Sequence, residues 1–261
     1  MIGGILPQWV TWAEAFDDPP DATLFPEEEA LLARAVDRRR QEFTTARHCA
    51  RKALALLGVA PAPILPGWRG APQWPPAIVG SITHCAAYRA AAVAHAASVA
   101  SIGIDAEPHR PLPDGVLATI ARPTEGAELR HLRLRHPETH WDRLLFCAKE
   151  AAYKAWSPLT ERSLGFEEAE ITIDPDHHTF TAKLLVPGPY LDRRELRGFT
   201  GRWLVTGGLV ATTITVPAAV PFSTPGRWRE PARTREVHTV ERTRVSSAHE
   251  ASGDGRPVPP D

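Results

Sequence analysis

The sequence predicts an α+β fold in which each half of the chain combines helices with strands. Helical periodicity covers residues 25–59, and strand signals follow it, most clearly in the alternation of residues 99–107. The second half repeats this order, with helices up to Trp156 and then strands, the last of which turn back at Gly207 and Gly208 as a hairpin. Hydrophobic residues make up 43% of the 261 residues and charged residues 23%, which is typical of a chain with a folded core.

The order of helix and strand signals divides the chain into an N-terminal lobe, residues 1–110, and a C-terminal lobe, residues 111–222. Composition separates a tail, residues 223–261. The tail contains no Leu, Ile, Phe or Tyr but several Pro, Arg and Glu. Because it can bury little apolar surface to offset the entropy lost on ordering, we expect it to be disordered. The two lobes are expected to have similar architectures, although no direct sequence repeat connects them.

Local signals place the elements within each lobe. Residues 2–16 indicate a strand followed by a turn. A helix begins at Pro26, since proline suits the first helical position and the three glutamates after it favour the positive end of the helix dipole. A second helix ends at Gly58, and residues 61–80, rich in Pro, Gly and Trp, indicate an ordered loop. In the C-terminal lobe, the predicted helices cover residues 114–121, 125–135 and 140–156, and the predicted strands cover residues 169–175, 178–186 and 201–216.

Charge and cysteine content exclude several classes of protein. The formal net charge of −1 argues against a general nucleic-acid binder, so any anion site must be local. The three cysteines, Cys49, Cys85 and Cys147, are scattered and odd in number, which favours reduced thiols over a disulfide framework. No run approaches the roughly 18 apolar residues of a transmembrane helix, and the N-terminus does not resemble a secretory signal. We therefore expect a soluble cytoplasmic protein that binds neither nucleic acid nor membrane.

Two carboxylates share one face of the predicted strand SIGIDAEP. Side chains alternate along a strand, so Asp105 and Glu107 point to one side while Ile102 and Ile104 point to the other. The two charges would repel each other unless a cation lies between them, and Mg²⁺ prefers such oxygen ligands together with substrate phosphates. The alternative is a solvated strand end, because the D-x-E pattern is common.

The helix that begins at Trp141 carries a charged side opposite an apolar stripe. Glu150 lies opposite the stripe, Lys154 follows one turn later, and Lys149 is on the flank. A Glu–Lys pair at this spacing is commonly solvated and contributes about 0.2–0.5 kcal/mol. The small alanines nearby would also allow another element or a ligand to approach, and Glu150 could complete an Asp/Glu/Glu metal site. The stripe consists of Trp141, Leu144, Leu145, Ala148, Ala152, Ala155 and Trp156.

Basic residues of the second helix are candidates for binding phosphate. Arg47 and Arg51 are four residues apart at the border of its apolar stripe, and the arginine fork suits phosphate oxygens. The alternative is a pair of surface arginines whose stems cover the edge of the core. The loop of residues 61–80 and the strand after it add further candidates. The nearness of Ser81 and His84 in sequence does not by itself indicate a catalytic triad. These candidates are Arg69, Gly70, Ser81 and His84.

Taken together, these motifs resemble the phosphopantetheinyl transferases, in particular the monomeric surfactin or enterobactin-synthase-component-D type and its actinobacterial branch. The ordered motifs GSITHC, GIDAEP and FCAKEAAYK carry the resemblance, and the segments TTARHCARKAL and WRGAPQWP support it. It spans residues 5–216, with Phe146 standing where many members have Trp. The family implies a pseudo-dimer of two similar α/β lobes in one chain, with coenzyme A bound in the cleft between them.

The resemblance also implies a reaction. The 4'-phosphopantetheine arm of coenzyme A moves to a serine of an acyl- or peptidyl-carrier protein, and adenosine 3',5'-bisphosphate is released. Carrier domains of polyketide, non-ribosomal peptide, siderophore, or fatty-acid and mycolate synthases are the expected partners, and the enzyme is expected to be a monomer. Two other functions stay open: a non-catalytic module that binds coenzyme A or carrier proteins, and a metal-dependent phosphohydrolase of a coenzyme A-like nucleotide.

The family's functional positions can be carried over residue by residue. Asp105, Glu107 and Glu150 match carboxylates that hold Mg²⁺, with Mn²⁺ as an alternative, and Asp105 also belongs to the coenzyme A site. Glu150 is the expected base, acting directly or through water. Lys149 and Lys154 match lysines that contact coenzyme A phosphates, and Lys154 is expected to be catalytic. The other positions that match the coenzyme A site are Arg47, Arg51, Arg69, Gly70, Ser81 and His84.

Overall fold

The computed structural model describes residues 1–218 and confirms the α+β class. The predicted disordered tail, residues 223–261, lies outside the described residues. The helices are α1 (Pro26–Ala30), α2 (Asp37–Ala55), α3 (Val116–Ile120), α4 (Pro123–Arg135) and α5 (Trp141–Thr160). The strands are β1 (Thr11–Ala15), β2 (Ile78–Cys85), β3 (Tyr88–His95), β4 (Val99–Pro108), β5 (Ala169–Asp174), β6 (Thr179–Leu184), β7 (Tyr190–Leu191), β8 (Arg194–Glu195), β9 (Gly198–Thr206) and β10 (Leu209–Pro217).

The first three strands form an antiparallel sheet in the order β1-β3-β2, and α2 packs against it. Leu54 of α2 is buried among residues of the sheet that include Ile78 and Val93. Burial of one leucine side chain contributes about 1.5–3 kcal/mol, so this contact helps to fix the helix on the sheet. Pro26 begins α1, as predicted.

The N-terminus differs from the predicted strand. Ile2–Ile5 forms a short 3-10 helix, and the strand begins only at Thr11. Ile2 and Ile5 are both buried, which a tight helical turn allows, while Gly3 lies so close to the Trp12 ring that a Cβ atom would be 2.1 Å from it. The predicted strand is thus present at Thr11–Ala15, but the predicted order was wrong, since a helical turn precedes the strand.

The second sheet is antiparallel, with the order β4-β10-β9-β6-β5. Strands β9 and β10 form the predicted hairpin, and Gly207 and Gly208 have φ values of 59° and 75° that suit a type I′ turn. Strand β4 pairs with β10, so that Asp105 lies opposite Thr212. The last strand before residue 110 is therefore hydrogen-bonded into the sheet of the C-terminal half, and the division into lobes at residue 110 stays a prediction.

Strand β4 packs directly against the backbone of helix α5. A Cβ atom on Gly103 would lie 2.0 Å from the carbonyl oxygen of Ala151, and the Ser101 hydroxyl donates a hydrogen bond of 2.7 Å to the carbonyl of Ala155. The small side chains of the helix permit this approach, which places the carboxylates of β4 beside the charged side of α5. The predicted apolar stripe is confirmed, since Trp141, Leu144, Leu145, Ala148, Ala152, Ala155 and Trp156 are all buried.

Hydroxyl groups of β2 connect the two sheets. The Ser81 Oγ accepts a hydrogen bond from the Ile104 backbone N–H at 3.1 Å, and the Thr83 Oγ1 accepts one from Ala106 at 3.0 Å. Thr83 also donates to Asp105 Oδ1 at 3.2 Å. These buried bonds hold the β4 backbone on both sides of Asp105, so hydroxyl groups of the first sheet help to set the position of this carboxylate.

Candidate active site

A cleft of about 1000 Å³ lies between α2, the loop after it, β2 and α5. Its charged lining is mainly cationic, which favours an anionic ligand. The structure brings six predicted site residues to this cleft, namely Arg47, Arg69, Gly70, Ser81, His84 and Lys154. Of these, Ser81 is only 4% exposed and its hydroxyl is already used in the bond to β4, so its contribution is chiefly structural.

The loop on one side of the cleft is folded back on itself. A backbone bridge joins Pro66 and Pro72, and the turn between them places Arg69 and Gly70 in the left-handed region, with φ values of 51° and 81°. Glycine adopts this conformation without steric cost, whereas a residue with a side chain is strained there. The Arg69 guanidinium lies 5.3 Å from the centre of the Trp68 ring, and both side chains line the cleft.

His84 contacts an arginine that sequence reasoning missed. Arg39 Nη1 is 3.1 Å from His84 Nε2, and Arg39 itself lines the cleft. Burial and then the charge of Arg39 lower the pKa of His84, although Glu42 opposes the second effect. Arg39, Phe43 and Arg47 are spaced by four residues along one side of α2, and this spacing was the available signal.

Arg47 and Arg51 have different surroundings although they are one turn apart. Arg47 is 6% exposed, donates from Nε to the Ile64 carbonyl at 2.8 Å and reaches the cleft. Desolvation lowers its pKa to about 10. Arg51 does not line the cleft but donates from Nη1 to both oxygens of the fully buried Glu28, each at 3.0 Å. Its geometry suits a structural ion pair rather than the predicted phosphate contact.

Asp105 and Lys154 form the central ion pair of the site. Lys154 Nζ lies 2.7 Å from Asp105 Oδ1 and 3.1 Å from the Ile104 carbonyl oxygen. Burial disfavours the charge on Lys154, but Asp105 and Glu150 outweigh it and raise the pKa of the lysine. The other oxygen, Asp105 Oδ2, is buried and has no hydrogen-bond partner among the described residues.

Glu107 lies on the same side of β4 as Asp105, as the alternation predicted. Its Oε2 accepts a hydrogen bond from Arg143 Nη1 at 3.0 Å. Burial and then the negative charge of Asp105 raise the pKa of Glu107, while Arg143 and Lys154 lower it. The two strand carboxylates therefore interact with each other, and each is also bound by a cation from α5.

Glu150 is half-buried on the adjacent side of α5. Burial and then the charge of Asp105 raise its pKa, and Lys154 opposes them. It lines a second pocket of about 200 Å³ together with Tyr153, Leu164 and Phe166. In residues 1–218 no three His, Cys, Asp or Glu side chains are arranged closely enough to hold a metal ion as they stand. The charge of Asp105 nevertheless acts on both glutamates, while Lys154 and Arg143 form ion pairs with the two strand carboxylates.

Lys149 points away from the large cleft. Its ammonium donates to Glu125 Oε1 at 2.9 Å and to the carbonyls of Phe166 and Ala169 at 2.7 and 2.8 Å, and the residue is 3% exposed. Burial lowers the pKa of Lys149, and Glu125 opposes that shift. A lysine has three N–H donors, and all three have protein acceptors here. This position does not suit the predicted contact with coenzyme A phosphates.

Comparison with known proteins gives the same assignment as the motifs. Residues 27–94 match the 4'-phosphopantetheinyl transferase N-terminal domain, and residues 101–203 match the 4'-phosphopantetheinyl transferase superfamily. The 4'-phosphopantetheinyl transferase Svp of Streptomyces mobaraensis is 57% identical over 221 residues, which cover 84% of this chain and 90% of the relative. The chain belongs to the 4'-phosphopantetheinyl transferases. The enzymes PptT of Mycobacterium tuberculosis and Npt of Nocardia iowensis are 50% and 52% identical, each over 82% of this chain and over 97% and 99% of the relative.

Family membership confirms the predicted enzyme class and reaction. As a 4'-phosphopantetheinyl transferase, the chain moves the phosphopantetheine arm from coenzyme A to a carrier protein. The N-terminal match ends within β3 and the second match begins within β4, so the two together include the basic cleft and the carboxylates. None of the helices between residues 1 and 218 combines the length and the apolar character needed to cross a bilayer.

Proposed function

We propose that this transferase binds coenzyme A in the basic cleft and that the carrier serine reacts beside Asp105 and Glu150. The observation that carries this proposal is that Asp105 interacts with one lysine of the cleft and with two further carboxylates. Lys154 from the cleft lies 2.7 Å from this carboxylate, and the charge of Asp105 acts on both Glu107 and Glu150. A cationic cleft whose Lys154 is paired with a carboxylate is suited to phosphoryl transfer, in which positioning and electrostatic stabilisation supply most of the catalysis.

The phosphates of coenzyme A have cationic partners on several sides of the cleft. Arg39, Arg47 and Arg69 line it together with His84 and Lys154. Guanidinium groups bind phosphate oxygens in pairs, and the arginines come from two separate segments of the chain. The pyrophosphate and the 3'-phosphate can therefore each be bound by a different group of side chains.

We further propose that Asp105, Glu107 and Glu150 hold a divalent cation, Mg²⁺ or as an alternative Mn²⁺. The buried Asp105 Oδ2 has no hydrogen-bond partner among the described residues, and such a group is costly unless a ligand satisfies it. Burial and Asp105 raise the pKa of both glutamates, a repulsion that a cation would relieve. Carboxylate oxygens are the ligands that Mg²⁺ prefers, and the bound ion would neutralise charge on the phosphate oxygens.

Two residues of α5 would act on the reacting groups. Glu150 accepts the proton of the serine hydroxyl, directly or through water. The serine oxygen forms a bond to the β-phosphorus of coenzyme A while the bond from that phosphorus to the bridging oxygen breaks. Adenosine 3',5'-bisphosphate leaves, and Lys154 neutralises the charge that builds on the phosphate oxygens.

The smaller pocket beside Glu150 suits the uncharged part of the substrate. Tyr153, Leu164 and Phe166 give it apolar walls beside Lys149, whose charge is already paired with Glu125, and its volume is about 200 Å³. The pantetheine arm, which carries amides and a thiol but no charge beyond its phosphate, fits such surroundings better than the arginine-rich cleft does.

For the protein partners we propose carrier domains of polyketide, non-ribosomal peptide, siderophore, or fatty-acid and mycolate synthases. The motifs shared with the actinobacterial branch support this range. A monomeric state and a cytoplasmic location are part of the same proposal.

An intact-mass assay with a panel of carrier proteins tests the proposal. Each carrier that is a substrate should gain the mass of one phosphopantetheine group, and Asp105→Ala should abolish the gain while far-UV circular dichroism stays unchanged. Carriers that gain no mass would favour a binding module, and phosphopantetheine released without any carrier would favour a hydrolase. An Asp105→Ala variant that transfers at the normal rate would overturn the metal assignment.

A further inference from the structure

Arg143, in the first turn of α5, is bonded through its whole guanidinium group. Nη1 donates to Glu107 Oε2 at 3.0 Å, Nε to the Arg110 carbonyl at 3.1 Å, and Nη2 to the Pro111 carbonyl at 3.0 Å. The residue is 8% exposed. Each of its three nitrogens therefore has a protein acceptor, and all three acceptors belong to the end of β4 or to the segment directly after it.

The residue before it in the chain strengthens the same connection. Asp142 Oδ2 accepts a hydrogen bond of 3.0 Å from the Leu112 backbone N–H. Two consecutive residues of α5 thus bind residues 110–112, which follow β4. At the other end of the strand, Gly103 and Ser101 touch the backbone of the same helix. The stretch of β4 that carries Asp105 and Glu107 is fastened to α5 on both sides.

The charge of Arg143 matters as much as its bonds. Asp105 and Glu107 share one face of β4, and their negative charges repel each other. Arg143 is the cation in direct contact with Glu107, whose side chain is 22% exposed and so has room to turn towards solvent. With the arginine in place, the carboxylate is held on the Asp105 side, because a planar guanidinium bonded to two carbonyls has one orientation.

We propose that Arg143 is a positioning residue of this transferase, which holds Glu107 beside Asp105 and fixes β4 at its distance from Glu150 and Lys154. The inference rests on the proposed function, because it assumes that these carboxylates bind the divalent cation. Groups that orient metal-binding carboxylates commonly change metal affinity by 10–100-fold when they are replaced. Arg143 should therefore influence the metal dependence of the reaction more than the binding of coenzyme A.

The test compares Arg143→Gln and Arg143→Lys with the control Arg133→Gln. Arg133 also contacts the first turn of α5, 3.5 Å from Asp142, but does not touch Glu107. Two quantities are measured: the Mg²⁺ concentration that gives half-maximal transfer, and the affinity for Mn²⁺ with coenzyme A present and no carrier, followed by electron paramagnetic resonance. In Arg143→Gln the half-maximal Mg²⁺ concentration should rise about tenfold and the Mn²⁺ affinity should fall about tenfold. KM for coenzyme A should stay within about threefold of the parent value.

The variants separate positioning from general stability. Arg143→Lys keeps one charge but cannot make the three fork-shaped bonds, so we expect it to fall between the parent and Arg143→Gln. Arg133→Gln should stay within about twofold of the parent for both quantities. If Arg143→Gln does not fold, Arg143→Lys decides the question by the same two measurements.

Failure of this inference can be told apart from failure of the proposed function by including Asp105→Asn. Loss of Mn²⁺ binding in Asp105→Asn together with parental binding in the folded Arg143 variants would overturn the role of Arg143 and leave the metal site standing. Parental Mn²⁺ binding in Asp105→Asn would overturn the metal site itself and the inference with it. Weak Mn²⁺ binding in Arg143→Gln with a normal KM for coenzyme A supports the inference.

Discussion

Lys149 and Lys154 lie on two sides of α5 and have opposite surroundings. Lys149 is enclosed by Glu125 and two backbone carbonyls, and its three donors are all used within the protein. The side chain of Lys154 is 27% exposed, contacts Asp105 and lines the large cleft. The motif presents both lysines as phosphate ligands, and under the proposed function only Lys154, which lines the cleft, would contact phosphate. The number of protein acceptors around an ammonium group, rather than its place in the motif, separates the two roles.

The largest effect should come from the enclosed side of the helix. Lys149→Met leaves Glu125 buried without its cation, which should lower the free energy of unfolding by about 3–5 kcal/mol. Urea unfolding followed by tryptophan fluorescence measures it. Adding Glu125→Gln to the same chain should recover part of the loss. A Lys149→Met chain with the parental free energy of unfolding would contradict the structural role of this lysine.

On the cleft side, Lys154→Met should slow the transfer step. We expect kcat to fall by about 10²–10³-fold, corresponding to about 2.7–4 kcal/mol, since a preorganised charge at the reacting phosphate is removed. Single-turnover transfer to a carrier protein measures this effect. Lys183→Met, which changes an exposed lysine of β6, is the matched control and should leave kcat unchanged. Equal kcat values in Lys154→Met and Lys183→Met would show that Lys154 does not contribute to the transfer step.

The same contrast applies to Arg47 and Arg51 of α2. Arg51→Gln removes the cation that is hydrogen-bonded to the buried Glu28 and leaves Arg47 Nε 4.0 Å from the same carboxylate. It should cost about 1–3 kcal/mol of unfolding free energy without changing KM for coenzyme A. Arg47→Gln should raise that KM about tenfold, as expected for the loss of a hydrogen bond to a charged phosphate. Thermal unfolding and initial rates measured on both variants test the pair, and the reverse pattern would refute it.

The smallest expected effect concerns Glu150 in the absence of metal. Burial and Asp105 raise its pKa, so over the pH range between its ordinary value of 4.5 and the raised value the folded state binds a proton that the unfolded chain has released. Stability contributed by this group is therefore lost as the pH rises through that range. Glu150→Gln should remove this pH dependence. The free energy of unfolding of the parent and of Glu150→Gln is measured with urea between pH 4 and 7 in the presence of a chelator. If it depends on pH in the same way in both chains, the pKa of Glu150 is not raised by burial and Asp105.

Regular periodicities made much of the fold predictable. The α5 stripe, the alternation along β4 and the hairpin at Gly207 each depend on residues that are near one another in sequence. The same local patterns identified Asp105, Glu107 and Lys154 as candidates and, through their order, the family. They failed at the N-terminus, where the packing of Gly3 against the Trp12 ring accompanies a 3-10 helix in place of the predicted strand.

What could not be predicted is which charged residues use up their bonds inside the protein. Lys149 donates to backbone carbonyls 17 and 20 residues further along the chain. Because every residue has a backbone carbonyl, the sequence does not mark these two as its partners. Arg51 pairs with Glu28, which in the sequence is one of three similar glutamates in the first turn of α1. Arg39 was missed because it lies in a run of three arginines, and only its spacing of four and eight residues from Phe43 and Arg47 distinguishes it from its neighbours.

Gly103 has a consequence for how the site can vary. The space between β4 and α5 is too narrow for any side chain at Gly103, since a Cβ atom there would lie 2.0 Å from the Ala151 carbonyl oxygen. The absence of a Cβ atom on Gly103 thus sets how closely β4 approaches α5 in the middle of the helix, while the Arg143 bonds hold the end of the strand. Alanine at this position would alter no ligand, yet its methyl group would force β4 and α5 apart and so widen the site.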